Sequence, residues 1–215
     1  MTAMDTLAEL LLLLIVLTDF AVLGISRLSG CIRAMAIQGV LLGALSLIID
    51  DPRTVHAIVI ATGTVLIKGI VLPWFLRWAM REAAVRREVE PAIGYMASLF
   101  LGAAAVGGAF ALAQRLPVVT RVELLVPIAF ATVIVGLLVL VTRAKAITQV
   151  VGYVMLENGV YLFGLTQLSR VPFLVEIGVL LDVFVGVFVM GIVVFHINRE
   201  FDSISAANLV ELRES

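Results

Sequence analysis

Residues 55–78 read VHAIVIATGTVLIKGIVLPWFLRW. A helix over that run is about 36 Å long at 1.5 Å per residue, more than the roughly 30 Å hydrocarbon core of a bilayer. Lys68 stands near its middle. A charge at that depth costs about 2.5–3.5 kcal/mol on insertion scales. Three other apolar stretches each hold one ionisable residue near the centre: Asp19, Glu157 and Asp182. Unpaired, the four together would cost on the order of 10 kcal/mol, so they are expected to be paired, hydrated or neutral. Residues of this kind mark proton or ion paths by default.

The rest of the chain agrees with a membrane class. Of 215 residues, 62% are hydrophobic and 14% charged, with mean hydropathy +1.15. Soluble domains carry about 25% charged residues. The expected fold is an all-α polytopic membrane protein of about seven transmembrane helices, with almost no length left for a soluble domain. The spans run near 7–26, 34–50, 55–78, 92–114, 122–142, 146–168 and 173–196. Pro172 opens the last of them, in the first turn, where proline is tolerated. The first stretch reads as a mature helix rather than a signal peptide, because no basic region precedes it and Asp19 interrupts it. The single cysteine, Cys31, allows no internal disulfide and no cysteine cluster. His56 and His196 belong to no ligand motif, so neither a metal site nor a cofactor is expected. A net charge of −1 gives no reason to expect a nucleic-acid partner.

Basic residues set an expected orientation. Arg27, Arg33, Arg77, Arg81, Arg86, Arg87, Arg143, Lys145, Arg199 and Arg213 fall in loops one, three and five and the C-terminal tail. Arg53, Arg115, Arg121 and Arg170 fall in the other loops. The positive-inside rule then puts the N-terminus outside and the C-terminus in the cytoplasm, which an odd number of spans requires.

Lys68 is one of two lysines among fifteen basic residues. Arginine keeps its proton in a protein, whereas a desolvated lysine can lose one. Lys68 either titrates or pairs at mid-depth, or its stem snorkels to the interface; the interface is about 15 Å away at 1.5 Å per residue. Pro73 should bend the helix and free a carbonyl. In span six, Gln149, Tyr153, Glu157 and Tyr161 recur every four residues as a stripe on one face, with Asn158 beside it. A carboxylate among two phenols and an amide suits a short proton-conducting water chain or an interhelical hydrogen-bond clasp. Gly152, Gly159 and Gly164 offer surfaces for close helix packing. Gly186, one turn after Asp182, would let a facing helix approach that carboxylate. Asp19 is either a relay member or a buried acid bonded to a neighbour. Glu123 and Glu176 read as span-end residues, Gly39 with Gly43 and Gly107 with Gly108 as packing faces, and Trp74 and Trp78 as interfacial anchors.

Residues 121–215 resemble subunit K of bacterial complex I and the C subunit of Mrp-type antiporters. The residues that carry the likeness are Gly136-Leu137, Arg143-Ala-Lys145, Gly152-Tyr-Val-Met-Leu-Glu157-Asn158, Asp182-Val-Phe-Val-Gly186 and the tail from Asn198-Arg199 to Glu211-Leu-Arg213. Two departures stand out. The family glutamate position is Val154 here, with Glu157 three residues later, and the second family glutamate is Asp182. Taken whole, the chain is similar to component E of hydrogenase-4-type complexes, relatives of the membrane-bound nickel–iron hydrogenases. The resemblance implies an N-terminal four-helix part (1–120), a subunit K-like part (121–198) and a cytoplasmic tail (199–215). It also implies a subunit without a redox centre in an oxidoreductase complex of a bacterial or archaeal cytoplasmic membrane. Antiporter-like and membrane-anchor subunits would be its partners. Glu157 and Asp182 would exchange protons or sodium; Lys68 and Asp19, which have no subunit K counterpart, would extend the line toward adjacent subunits, supported by Tyr153, Asn158, Tyr161 and Gln149. The competing implication is a scaffold whose buried charges form fixed pairs such as Lys68 with Asp19. A faint internal echo aligns residues 33–47 with 145–163, Gly39 falling on Gly152.

Overall fold

The computed structural model describes residues 3–49, 55–82, 93–116, 118, 120–166, 182 and 184–191, apart from the His56 side chain. Every regular element among them is helical: α1 (Ala3–Gly24), α2 (Leu28–Ile49), α3 (Val55–Thr64), a π-helical segment (Val65–Val71), α4 (Leu72–Glu82), α5 (Tyr95–Ala113), α6 (Leu125–Thr142) and α7 (Ala146–Leu165), then α8 (184–191). Lipid cannot satisfy backbone polar groups, so a spanning segment closes its hydrogen bonds within itself. Five stretches are long and apolar enough to cross a membrane, among them 57–81, which runs unbroken through the π segment. α7 is as long but more polar, and fourteen of its twenty residues are buried. It is the inner helix, turning its polar groups to protein rather than lipid. The chain is thus an all-α polytopic membrane protein. Asp182 and α8 are the described part of the expected last span; Glu176 and the tail 199–215 lie outside the described residues.

Apolar surface gains little by leaving lipid, so close contact holds such helices together. A Cβ on Gly152 would sit 2.6 Å from the Leu140 nitrogen, and one on Gly159 would sit 2.5 Å from that of Val133. Gly136 likewise abuts the Leu156 backbone, so α6 and α7 touch main chain to main chain. Among the described residues, Gly107 and Gly108 do not pack as expected: a Cβ on either meets nothing within 4 Å. α5 buries only Ser98, Gly102 and Ala109, and its contact with α1 is made by Gly102 against Leu23. α1 and α6 run parallel. Asp5 and Arg121 join their starts at 2.8 Å, and Arg143 Nη2 donates to the Leu23 carbonyl at their ends, at 2.9 Å. Arg143, expected as a loop charge, is 2% exposed and lies 5.4 Å over the Tyr95 ring.

Two apolar clusters fill the interior at different depths. One takes Val22 and Leu23 of α1, Ile32 and Met35 of α2, Val135 and Val139 of α6, and Val151 and Met155 of α7. The other takes Leu12 and Ile15, Leu42 and Leu45, Leu125 and Ile128, and Tyr161 and Leu162 of the same four helices. On each helix the polar residues fall between the two sets: Asp19, Gln38, Thr132, and Glu157 with Asn158. All five are buried. A polar layer therefore lies at mid-depth, with an apolar layer on either side.

Candidate functional site

Lys68 lies in the π segment for a local reason. Pro73 has no N–H to offer Gly69, and its ring crowds that carbonyl four residues back. The helix widens, and the Leu72 N–H bonds Ile67, five residues back. Sequence reading expects a bend here; the structure adds a full widened turn. α2 leaves room for it. A Cβ on Gly39 would lie 2.6 Å from the Lys68 carbonyl carbon and 2.8 Å from the Gly69 nitrogen, and one on Gly43 would run into Val65. The Gly39–Gly43 packing face thus serves the lysine's own backbone.

The Lys68 ammonium donates to Glu157 Oε1 at 2.7 Å and to Asp182 Oδ1 at 3.0 Å. The three residues are 2%, 1% and 5% exposed. One turn away, the Thr64 hydroxyl meets the Tyr161 hydroxyl at 3.0 Å. Residues 64 and 68 therefore face 161 and 157, the register of two antiparallel helices. Among the described residues Glu157 Oε2 is buried without a hydrogen-bond donor, and the Glu157 carboxyl also lies within interaction distance of the Asp182 carboxyl. Asp182 borders a cavity of about 590 Å³ lined by Ile67, Val71, Phe75, Gly186, Val187 and Met190. Val71, Val187 and Met190 are exposed on the outer surface, so the cavity faces sideways, toward lipid or a neighbour.

Asp19 does not join this cluster. Its Oδ1 accepts from Gln38 Nε2 at 2.7 Å and its Oδ2 from the Thr132 hydroxyl at 2.8 Å. Gln38 Oε1 in turn accepts from Asn158 Nδ2 at 2.9 Å. The Lys68–Asp19 pair expected of a scaffold is not formed, because Lys68 faces α7 and α8 while Asp19 faces α2 and α6. Gln149 donates to the Arg143 carbonyl at 3.0 Å. Tyr153 packs on Phe184, ring centroids 6.5 Å apart, and with Gln149 lines a second cavity of about 190 Å³. Val154, at the family glutamate position, is fully buried in the apolar cluster beside the polar layer. Glu157 stands one turn on, inside the layer. Sequence reading missed Gln38, Thr132 and Thr64. Each is a polar residue well inside an apolar run, and that was the available signal.

Fold and site together define a polytopic helical membrane protein with an ion-paired layer buried at mid-depth. The chain belongs to the same family as a Mycobacterium tuberculosis (strain ATCC 25618 / H37Rv) protein described as "Uncharacterized protein Rv0085", with 36% identity over 195 residues, 87% of each chain. It is also similar to hydrogenase-4 component E of Escherichia coli K12 and of Shigella flexneri, at 31% identity over 99 residues, 46% of each chain. No family model matches the chain, and no solved structure does.

Proposed function

We propose that this protein is a membrane subunit of an energy-converting complex, related to hydrogenase-4, in which Glu157, Lys68 and Asp182 exchange protons. The observation that carries the reading is the buried Lys68 ammonium held between two carboxylates from different spans. A proton on Glu157 reaches Asp182 when Lys68 gives one proton to Asp182 and takes another from Glu157. Arginine could not perform this step. The layers on both sides are mainly apolar, and Asp182 borders a sideways cavity, which favours lateral exchange, toward antiporter-like and membrane-anchor subunits in a cytoplasmic membrane. The N-terminus lies outside and the C-terminus inside. Redox chemistry belongs to other subunits, and the coupling ion is the proton or sodium. Division of the chain near residue 120 gains support from spacing. The internal echo aligns Gly39 with Gly152, an offset of 113 residues; Asp19 and Thr132, in hydrogen-bond contact, are separated by the same 113, and Lys68 and Asp182 by 114.

Glu157→Gln and Asp182→Asn should each lower proton translocation in membrane vesicles while the complex still assembles and turns over its redox substrate. Normal pumping by both variants would sink the reading. A scaffold role is the second reading, favoured by the way the ion pairs tie three spans together; it predicts lost assembly rather than lost pumping.

A further inference from the structure

We infer that Asp19, Gln38, Thr132 and Asn158 form a clasp that positions Lys68 against Glu157, and that its two carboxamides keep protons from reaching Asp19. The positioning claim stands on geometry alone. The barrier claim rests on the proton-exchange reading above.

The hydrogen bonds all point one way. Asn158 donates to Gln38, Gln38 donates to Asp19, and Thr132 donates to the second oxygen of Asp19. One carboxylate thus gathers four helices: α1, α2, α6 and α7. All four side chains are 0–1% exposed. The clasp residues are also the direct neighbours of the ion pair. Gln38 precedes Gly39, whose Cα side abuts the Lys68 carbonyl and the Gly69 nitrogen. Asn158 follows Glu157, which holds Lys68 Nζ at 2.7 Å. Adjacent helical residues are about 100° apart around the axis, so fixing one fixes the direction of the next. The Gln38–Asn158 bond therefore sets the rotation of α2 and α7, and with it the gap between the lysine and the glutamate.

The same bond is a poor conductor. Water and hydroxyl groups pass a proton by gaining one and losing another on a single oxygen. A carboxamide carries its donors on nitrogen and its acceptor on oxygen, so relaying a proton takes it through the high-energy imidic acid form. The hydrogen-bonded chain that leads away from Asp19 toward α7 consists of two carboxamides, Gln38 and Asn158, and among the described residues no hydrogen bond joins it to Glu157. Asp19 is on this account a positioning residue and not a station on the path.

The test is a double-mutant cycle in the full chain purified in detergent, read as thermal midpoint, with Lys68→Met, Glu157→Gln and their combination. In the wild-type and Asp19→Asn backgrounds, Glu157→Gln should recover part of the midpoint lost to Lys68→Met, because an asparagine at 19 still accepts from Gln38 through its oxygen and can donate its N–H to the Thr132 hydroxyl oxygen in place of accepting from it. In the Gln38→Leu background that recovery should largely vanish. Equal recovery in all three backgrounds overturns the positioning claim. If Gln38→Leu does not fold, Asn158→Ala takes its place, removing the donor to Gln38 while leaving the Gln38–Asp19 bond. The barrier is read in vesicles of the assembled complex. Asp19→Asn should pump close to wild type while Glu157→Gln falls more than about tenfold. If Asp19→Asn loses pumping as completely as Glu157→Gln, Asp19 is on the path and the barrier claim is wrong. If Glu157→Gln pumps normally, the proton-exchange reading and the barrier fail together, and the thermal cycle still judges the clasp.

Discussion

Lys68→Met should be among the most damaging single substitutions in the chain. The ammonium it removes lies 2.7 Å from Glu157 and 3.0 Å from Asp182, and those carboxylates are 1% and 5% exposed. Removing one partner of a buried pair costs about 3–5 kcal/mol, because the other is left uncompensated. Here two carboxylates share the loss, so the upper end applies while both stay charged, and proton uptake by one brings the cost toward about 3 kcal/mol. Neutralising all three residues should restore the balance. Lys68→Met with Glu157→Gln and Asp182→Asn should return to within about 1 kcal/mol of wild type or exceed it, since neutral replacement of buried ionic triads is often neutral or stabilising. Unfolding free energies of the full chain in bicelles, titrated with SDS and followed by circular dichroism, give both numbers. Lys145→Met, a half-buried lysine at the start of α7, is the control and should stay within about 0.5 kcal/mol. A Lys68→Met cost equal to that control, or a triple variant less stable than Lys68→Met alone, would refute the view that the three charges act as one unit.

Three further outcomes are expected. Pro73→Ala returns the N–H that Gly69 lacks and lets the π segment relax toward α-helix; losing about one residue of register turns Lys68 by roughly 100° relative to α4, so protons translocated per turnover should fall while the thermal midpoint holds or rises. Gly152→Val drives a Cβ to 2.6 Å from the Leu140 nitrogen; main chain cannot step aside as a side chain would, so a loss of at least about 1–3 kcal/mol and weaker disulfide cross-linking between cysteines placed on α6 and α7 should follow. Asp5→Asn breaks the pair with Arg121, which is 61% exposed, and should cost less than about 1 kcal/mol, decreasing further in high salt.

The layer was legible in the sequence in proportion to what each residue costs in lipid. Asp19, Lys68, Glu157 and Asp182 stand out because a charge in a bilayer is expensive. Gln38 and Thr132 do not, because interhelical hydrogen bonds of such side chains are worth only about 0.6–2 kcal/mol and leave a weaker mark on a hydrophobic run. Gln38 was further masked by Gly39 and Gly43, which read as packing alone. Which charge meets which was not readable, because it depends on the arrangement of helices in space. Of the four mid-span ionisable residues, Lys68 and Asp19 are the nearest opposite pair in sequence, yet Thr64 and Lys68 come into register with Tyr161 and Glu157. Span ends also moved: hydropathy opens span two at residue 34, while the hydrogen-bonded helix begins at Leu28, its backbone pattern running past the apolar run into the interfacial residues. Pro73 announced a distortion, but its form depended on the room left by Gly39 and Gly43 on another helix.

The position of the layer bears on the direction of any transport through it. A vertical half-channel needs polar side chains above or below the charged residues to hold water. On α1, α2, α6 and α7 the flanks are mainly apolar: Val22 and Ile15 around Asp19, Met35 and Leu42 around Gln38, Val135 and Ile128 around Thr132, Met155 and Leu162 around Glu157 and Asn158. Polar exceptions include Ser46 and the Thr64–Tyr161 pair on one side and Gln149 and Tyr153 on the other. The group with an outlet is Asp182, which borders the sideways cavity between the π segment and α8. Lys68 is tied to both carboxylates and carried by a widened turn that packs on two glycines. On the proposed function, a mid-depth layer with a lateral outlet suits a subunit that hands charge to its neighbours within the membrane plane. An independent transporter would instead have to open each apolar layer in turn. The glycine-backed π segment is the element whose rotation would break Lys68 from Glu157 without unpacking the close α6–α7 pair, and it is where coupling to a neighbouring subunit would act at least structural cost.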